Sequence, residues 1–390
     1  MPILTHPGAA RGPASRGADR PAAAAVDSFA LTIAPRPGEG VSSAVGRFAG
    51  LLRDCKAVVL KLLVFAPSDV QREIDDELRS QFRTVDWPIT WVQGGRCNGA
   101  RIAGLQAIVA TGADVRRIAL DGQIVGSVYQ DGEARYCLLG GIGPRATALP
   151  RFVQAWQVFD RMEAALAEAG FGLADVVRTW FYNQDLLDWY HDFNRVRTAL
   201  YGKTVFCSGF LPASTGISAR NPAGAALAAG ALAFQPLHPS VRAVEVGSPL
   251  QCPASAYGSS FSRAVEIAGP GSRRLMVSGT ASIAADGRSV RVGDAPGQVA
   301  RTMDVVGAIL RSRGFAFSDV TRAIAYFKHP DDAAAFDTWC SSRGLEAMPA
   351  IRTHCGICRD DLLFEIELDA RSDLLQAGGA APPDRTALTR

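Results

Sequence analysis

The sequence predicts an α+β protein of three similar lobes, each a mixed sheet with helices packed on one face, the three arranged as a pseudo-trimer. Three observations predict it. A helix–Gly–strand–helix–Pro–strand unit recurs: GFGLADVVRTWFYNQDLLDWYHDFN, from Gly170, matches GFAFSDVTRAIAYFKHPDDAAAFDTW, from Gly314, with Gly-Phe, Asp-Val and Arg in register. A weaker copy lies earlier, VGRFAGLLRDCKAVVLKLLVFAPSD followed by VQREIDDELRSQF and WPITWVQGGRCNGARIAGLQAIVA. Finally, 390 residues exceed one average domain and suit two or three units.

Each copy justifies its elements in the same order. An amphipathic helix comes first, VFDRMEAALAEAG in one copy and VARTMDVVGAILRSRG in another, and each ends on a glycine, a natural helix stop. Asp-Val then opens a strand. A second helix, a proline and a strand pair complete the unit, as in LPASTGISARNPAGAALAAGALAF and MPAIRTHCGICRDDLLFEIELDA. The predicted lobes span 27–125, 126–240 and 241–372. Residues 1–26, rich in Ala, Pro, Gly and Arg, and 373–390 read as disordered tails. The first tail lacks the apolar core of a signal peptide, so the expectation is a cytoplasmic protein.

The last strand pair carries the most chemistry. Read as a hairpin about Asp360-Asp361, residues 348–370 put Ile351, Cys355, Ile357, Leu362, Phe364, Ile366 and Leu368 on one face. The other face carries Arg352, His354, Cys358, Glu365 and Glu367, with Gly356 opposite Glu365 leaving room. A fixed cation, a thiol and carboxylates on one face suit an anionic substrate with an acid nearby. The lobes diverge here: Gly104 and Ala229 stand near the Glu365 position in the other two copies, and neither copy has an obvious Arg352. One working cleft and two structural ones are expected.

Composition excludes other classes. The chain is 48% apolar and 20% charged with a formal charge of +3, and no basic run is interleaved with aromatics, so no nucleic-acid partner is expected. No apolar stretch approaches the ~18 residues of a membrane helix. Eight scattered cysteines read as free thiols; Cys355 and Cys358 lack a second CxxC, which argues against zinc. The GIGPRA run lacks the Gly-Lys-Ser/Thr ending of a phosphate loop, no nicotinamide fingerprint is present, and no cofactor is expected. His354, His191 and the Trp189-Tyr190 pair have packing as their default reading.

The third lobe resembles a RidA/YjgF domain in SSFSRAVEI (259–267), MVSGTASI (276–283), Pro349-Ala350-Ile351-Arg352 and FEIELDA. The chain from about 28 to 371 resembles the chorismatases, fused pseudo-trimeric relatives of RidA. The matching segments are RTWFYNQDLLDWYHDFNRVRTALYG (178–202), LPASTGISARNP (211–222), CPASAYGSSFSRAVEI (252–267) and CGICRDDLLFEIELDA.

That resemblance implies chorismate as the substrate and Glu365 as the acid that protonates its enolpyruvyl methylene carbon. Such a role needs a neutral carboxyl, which burial favours. It also implies 3-hydroxybenzoate plus pyruvate, with or without 4-hydroxybenzoate, because Cys358 stands seven residues before Glu365 as in that branch of the family. Ala281 stands at a second product-determining position if that position falls in SGTASI, where Ala belongs to the hydrolytic branch. Two substrate carboxylates call for two cations, and Arg352 and Arg220 are the first candidates. Tyr182, Tyr190, Tyr201 and Arg178 are further candidates for contacts with the ring or pyruvyl end. The alternatives are a hydrolytic chorismatase releasing the dihydroxycyclohexadiene carboxylate, a RidA-type imine deaminase, and a non-catalytic binder of aromatic acids. Fused lobes that bury one another's interfaces suit a monomer or weak oligomer.

Overall fold

The computed structural model describes residues 26–97 and 99–373; the tails expected at 1–26 and 373–390 lie outside these residues except for Val26 and Asp373. Lobe one comprises strand β1 (Asp27–Ile33), helix α1 (Val41–Cys55), β2 (Val58–Phe65), α2 (Gln71–Gln81), β3 (Ile89–Val92), the short β4 (Gly95–Arg96) and β5 (Gly104–Thr111). Lobe two comprises β6 (Arg116–Leu120), β7 (Gln123–Gln130), β8 (Ala134–Ile142), α3 (Arg151–Ala169), β9 (Val176–Asn183), α4 (Tyr190–Tyr201), β10 (Ala213–Ser218) and β11 (Leu227–Pro236). Lobe three comprises β12 (Arg242–Val246), β13 (Ala264–Ala268), β14 (Ser272–Ala281), α5 (Ala295–Ser312), β15 (Val320–Phe327), α6 (Ala333–Ser341), β16 (Ala350–His354) and β17 (Phe364–Asp373).

The sheets run β1-β5-β2-β3, β10-β9-β11-β8-β7-β6 and β12-β13-β14-β17-β15-β16-β4. Lobe two therefore begins near residue 116, ahead of the predicted 126, because β6 pairs with β7. In each lobe one parallel pair (β2/β3, β9/β10, β15/β16) is joined across a helix, and the rest is antiparallel.

The helix stops behave as the repeat predicts. Gly170 and Gly314 take left-handed φ values of 77° and 74°. In lobe one Lys56 holds that conformation, at φ 52°. A side chain there is strained, so Lys56→Gly should stabilise the protein by roughly 0.5–1 kcal/mol, read as a raised urea midpoint.

Among the described residues five apolar clusters result. Three are sheet-on-helix, one per lobe, the fourth lies where the three sheets face one another, and a small fifth joins Ala281, Ile283, Ile357 and Leu362. At the centre of the fourth sit Phe65, Tyr182 and Tyr326, equivalent residues of β2, β9 and β15, with ring centroids 6.3–6.4 Å apart. Two isolated bridges, Gln93 to Arg220 and Ser218 to Gly356, and the short antiparallel pairing of β4 with β16 tie the lobes in a ring. Near the axis each lobe also supplies a buried cation, Lys61, Arg178 and Arg322, and all three lie by the ring of Trp180. Burial, aided by Arg322, pushes Lys61 down to about 7.

The predicted hairpin does not form. β15 lies between β16 and β17, parallel to the first and antiparallel to the second. Residues 355–363 are a crossing connection; Asp360-Asp361 do form a turn, with the Leu362 N–H donating to the Arg359 carbonyl at 3.3 Å, but the strands on either side of it do not pair with each other. The inserted strand reverses the parity of β16. Ala325 pairs with Arg352 on one side and Ile366 on the other, so Arg352 shares the helix face with Ile366 and lies opposite Glu365. The predicted apolar wall splits: Phe364, Ile366 and Leu368 face α5, Ile351 and Cys355 face the axis, and Ile357 and Leu362, in the connection, pack with Ala281 and Ile283.

Candidate active site

A cavity of about 410 Å³ lies between lobes two and three. β17 brings Glu365 to its wall, and β14 brings Ala281, the register partner of Glu365, together with Gly279. The 355–363 connection adds Cys358 and Arg359. From lobe two, β10 supplies Ser214 and Gly216, and α4 supplies Tyr190, His191, Asn194 and Arg197. The segment between β12 and β13 covers the opening with Tyr257, Ser259 and Phe261, and leads into Arg263.

Glu365 is 4% exposed. Burial pushes its carboxyl up to about 8, reinforced by the negative charge of Glu367 and opposed by Arg263 and Arg178. It therefore carries a proton at neutral pH. Burial, then Glu365, pushes the Cys358 thiol up to about 12. Cys358 is consequently a neutral thiol beside the acid, unsuited to nucleophilic attack.

Three guanidiniums face the cavity without a salt-bridged carboxylate among the described residues. Arg263 donates Nε and Nη2 to the Cys252 carbonyl at 3.0 and 2.8 Å and lies against the rings of Tyr257 and Phe261. Arg359 donates to the Gly287 carbonyl at 2.7 Å and stacks near Tyr257. Arg197 donates to Asn194 Oδ1 at 2.6 Å and lies between the Phe193 and Phe261 rings. Positive charge held on neutral acceptors and aromatic faces is available to an anionic ligand.

The cations favoured on sequence grounds are already engaged. Arg352 pairs with Asp337 at 2.5 Å over the Phe336 ring, on the helix face of the sheet. Arg220 is largely exposed and pairs with Asp185 at 3.3 Å. Arg178 is fully buried behind the cavity wall, 2.7 Å from Glu367. Tyr182 belongs to the axial aromatic cluster and Tyr201 to the core of lobe two, so neither lines the cavity. Gly356 bridges to Ser218 and does not oppose Glu365; the residue packed on the Glu365 carboxyl is Gly279. His354 is exposed beside β4. Tyr190 and His191 line the cavity where packing was the default, while Trp189 does pack in the core.

Arg197, Arg263 and Arg359 were missed. For Arg263 the available signal was the segment 247–263, far longer than the two-residue turn between β6 and β7 at the same place in lobe two; Arg197 on α4 and Arg359 in the 355–363 connection had no such signal.

Strand register identifies the counterparts of Glu365. Tyr326 pairs with Glu365, Tyr182 with Ala228 and Phe65 with Gly104, so Ala228 replaces the expected Ala229. The cleft between lobes one and two, about 440 Å³, thus holds Ala228 in place of an acid and Trp91 where the acid-bearing cleft has Gly216.

This is a three-lobed α+β protein whose cleft between lobes two and three holds a buried glutamate. No protein-family model matches the sequence. Chorismatase from Streptomyces hygroscopicus is 27% identical over 215 residues, 49% of this chain and 60% of that relative, so the match spans less than two thirds of the relative's length. A crystal structure of chorismatase at 1.08 Å resolution superposes over 89% of this chain and 98% of that one, with a TM-score of 0.60 and 20% identity. A Rid-family protein from Yersinia pestis covers 33% of this chain, with 19% identity and a TM-score of 0.27. The chain is thus similar in sequence to a chorismatase over about half its length and shares the fold of the chorismatase crystal structure. Among the described residues no helix is long and apolar enough to cross a membrane.

Proposed function

We propose that the protein converts chorismate to 3-hydroxybenzoate and pyruvate. The observation that carries this reading is a buried, protonated Glu365 facing a cavity lined by three guanidiniums that have no carboxylate partner among the described residues. Chorismate is a dianion whose enol ether must be protonated on carbon, and the similarity to chorismatase supports it as the substrate.

Arg263, Arg359 and Arg197 hold the two carboxylates. Glu365 delivers its proton to the methylene carbon; the vinyl electrons form the new C–H bond and leave an oxocarbenium centre. The C4 hydroxyl oxygen then attacks C3 as the C3–O bond breaks, its electrons completing the pyruvate carbonyl. The hydroxyl proton returns to Glu365. The arene-oxide-like product opens and loses a ring proton as it aromatises, so no water or redox partner is consumed.

Cys358 acts by shape, leaving room for the C4 oxygen to approach C3. Cys358→Val should make the dihydroxycyclohexadiene carboxylate a major product, measured by chromatography of the aromatic and diene acids; an unchanged profile reduces Cys358 to packing. A second reading, hydrolysis to that diene acid, is favoured by Ala281, which lies beside Glu365 in the cavity. Purified protein with chorismate decides between them. Pyruvate with hydroxybenzoate supports the first, pyruvate with diene acid the second, and no pyruvate removes both.

A further inference from the structure

β17 carries three carboxylates on one face: Glu365 opens on the cavity, Glu367 lies behind it with no exposed surface, and Asp369 follows, paired with Arg322 at 3.0 Å. Register places Gln106 and Gly230 where lobe three has Glu367, so lobe three alone supplies a glutamate at this axial position. Five donors hold it. Oε1 accepts from Trp180 Nε1 at 3.1 Å and from Arg322 Nη1 and Nη2 at 3.0 and 2.7 Å. Oε2 accepts from Arg178 Nη2 at 2.7 Å and from the Thr215 hydroxyl. Against burial, Arg322 and Arg178 keep this carboxylate ionised. The same Thr215 oxygen accepts the Gly279 N–H at 3.1 Å, and Gly279 packs on the Glu365 carboxyl. A hydrogen-bonded path thus runs from the axial anion to the backbone that cradles the acid.

We infer that Glu367 is a positioning residue, a permanently ionised carboxylate fixed at the meeting point of three lobes, which keeps Glu365 carrying its proton and, through Thr215 and Gly279, sets where that proton points. The other groups around Glu365 are not arranged to do this. Arg178 of β9 and Arg263 at the start of β13 favour the ionised form. Cys358, beside it, is a neutral thiol. Tyr326 of β15 is its strand partner, and β10 and β14 present the uncharged Ser214, Thr215, Gly279 and Ala281. Arg359 and, from α4, His191 and Arg197 line the same cavity. Glu367 is the one anion in this set. Glu367, together with Asp369 on Arg322, also explains why Arg178 and Arg322 are buried behind the cavity wall.

This inference rests on Glu365 being the proton donor, and its test reads the proton directly. The carbonyl stretch of the protonated Glu365 carboxyl, identified by its loss in Glu365→Gln, is followed by infrared difference spectroscopy from about pH 5 to about pH 10, without substrate. Glu367→Gln should lower the midpoint by about one pH unit or more, and the high-pH limb of kcat should move down with it while KM holds. Arg178→Met leaves Glu367 held by Arg322 and should move the midpoint upward. Thr215→Val cuts the bonded path from Glu367 to Gly279 while Arg178 and Arg322 still hold Glu367; it should lower kcat with KM held, and it decides the matter if Glu367→Gln does not fold. A midpoint unchanged in every variant that folds overturns the inference. Shifted midpoints without chorismate turnover keep the positioning role and overturn the proposed substrate; turnover with unmoved midpoints does the reverse.

Discussion

Glu365→Gln should abolish pyruvate release from chorismate, by at least about 10³-fold in kcat, while the protein stays folded. Gln fills the same volume and cannot deliver a proton to carbon. The cavity's guanidiniums are untouched, so chorismate should still bind with a dissociation constant near the wild-type KM. Circular dichroism and calorimetric binding check fold and affinity; a coupled pyruvate assay checks turnover. Full activity in this variant removes Glu365 from the mechanism.

The same residue sets a pH signature. Its carboxyl stands at about 8 in the folded protein against an ordinary 4.5. Activity that needs the protonated form should fall as pH rises through about 8. Stability has the matching sign. The folded-state value is raised, so the folded protein holds a proton that the unfolded chain releases. The associated stability is complete below 4.5 and is lost as pH climbs to about 8. The difference is on the order of 4 kcal/mol by pH 8. Glu365→Gln cannot ionise and should escape that loss, melting higher than wild type at pH 8 and close to it at pH 4.5. Parallel thermal denaturation at the two pH values measures it; identical pH slopes would mean that Glu365 is ionised in the folded state.

What was legible in the sequence follows from what local pattern encodes. Repeats with aligned Gly-Phe and Asp-Val disclose three lobes because each unit must fold the same way to bury its face. Glu365 stood out because the lobes differ at the acid position, a comparison internal to one chain, whereas Cys358 was singled out by its resemblance to one branch of a family. Arg352 misled because side-chain parity passes through hydrogen-bonded neighbours, and β15, absent from the local stretch, intervenes. The choice among arginines failed for a related reason. Whether a guanidinium is free depends on partners far along the chain: Arg178 meets Glu367 across 189 positions. Arg263, held on a backbone carbonyl and two rings, reads in sequence like any other arginine.

Gly279→Ala should cost about 10²-fold in kcat, an effect of the size expected when a reacting group is displaced by about an ångström. Gly279 lies at the irregularity of β14 where pairing with β17 shifts between Val277 and Thr280. A methyl there would overlap Oε1 of Glu365 and come within 3.2 Å of the Thr215 methyl. The backbone is not left-handed at this position, so the substitution brings no φ strain. What must give is the far end of the Glu365 side chain. The carboxyl swings away from its cradle, and the fold loses little, roughly 1–2 kcal/mol of overpacking.

Lobe two contains the control. Gly141 occupies the corresponding irregularity of β8, at φ 65°, and a methyl there would strike the Ile89 carbonyl. That cleft carries Ala228, with no acid to displace. Gly141→Ala should therefore destabilise the protein, by about 1–3 kcal/mol, yet leave kcat per folded molecule unchanged. Steady-state kinetics normalised to folded protein separates the two effects. Equal kcat losses in both variants would mean that the glycines matter for sheet geometry alone, and an unchanged kcat in Gly279→Ala would mean that the proton leaves Glu365 from another position than the one Gly279 cradles.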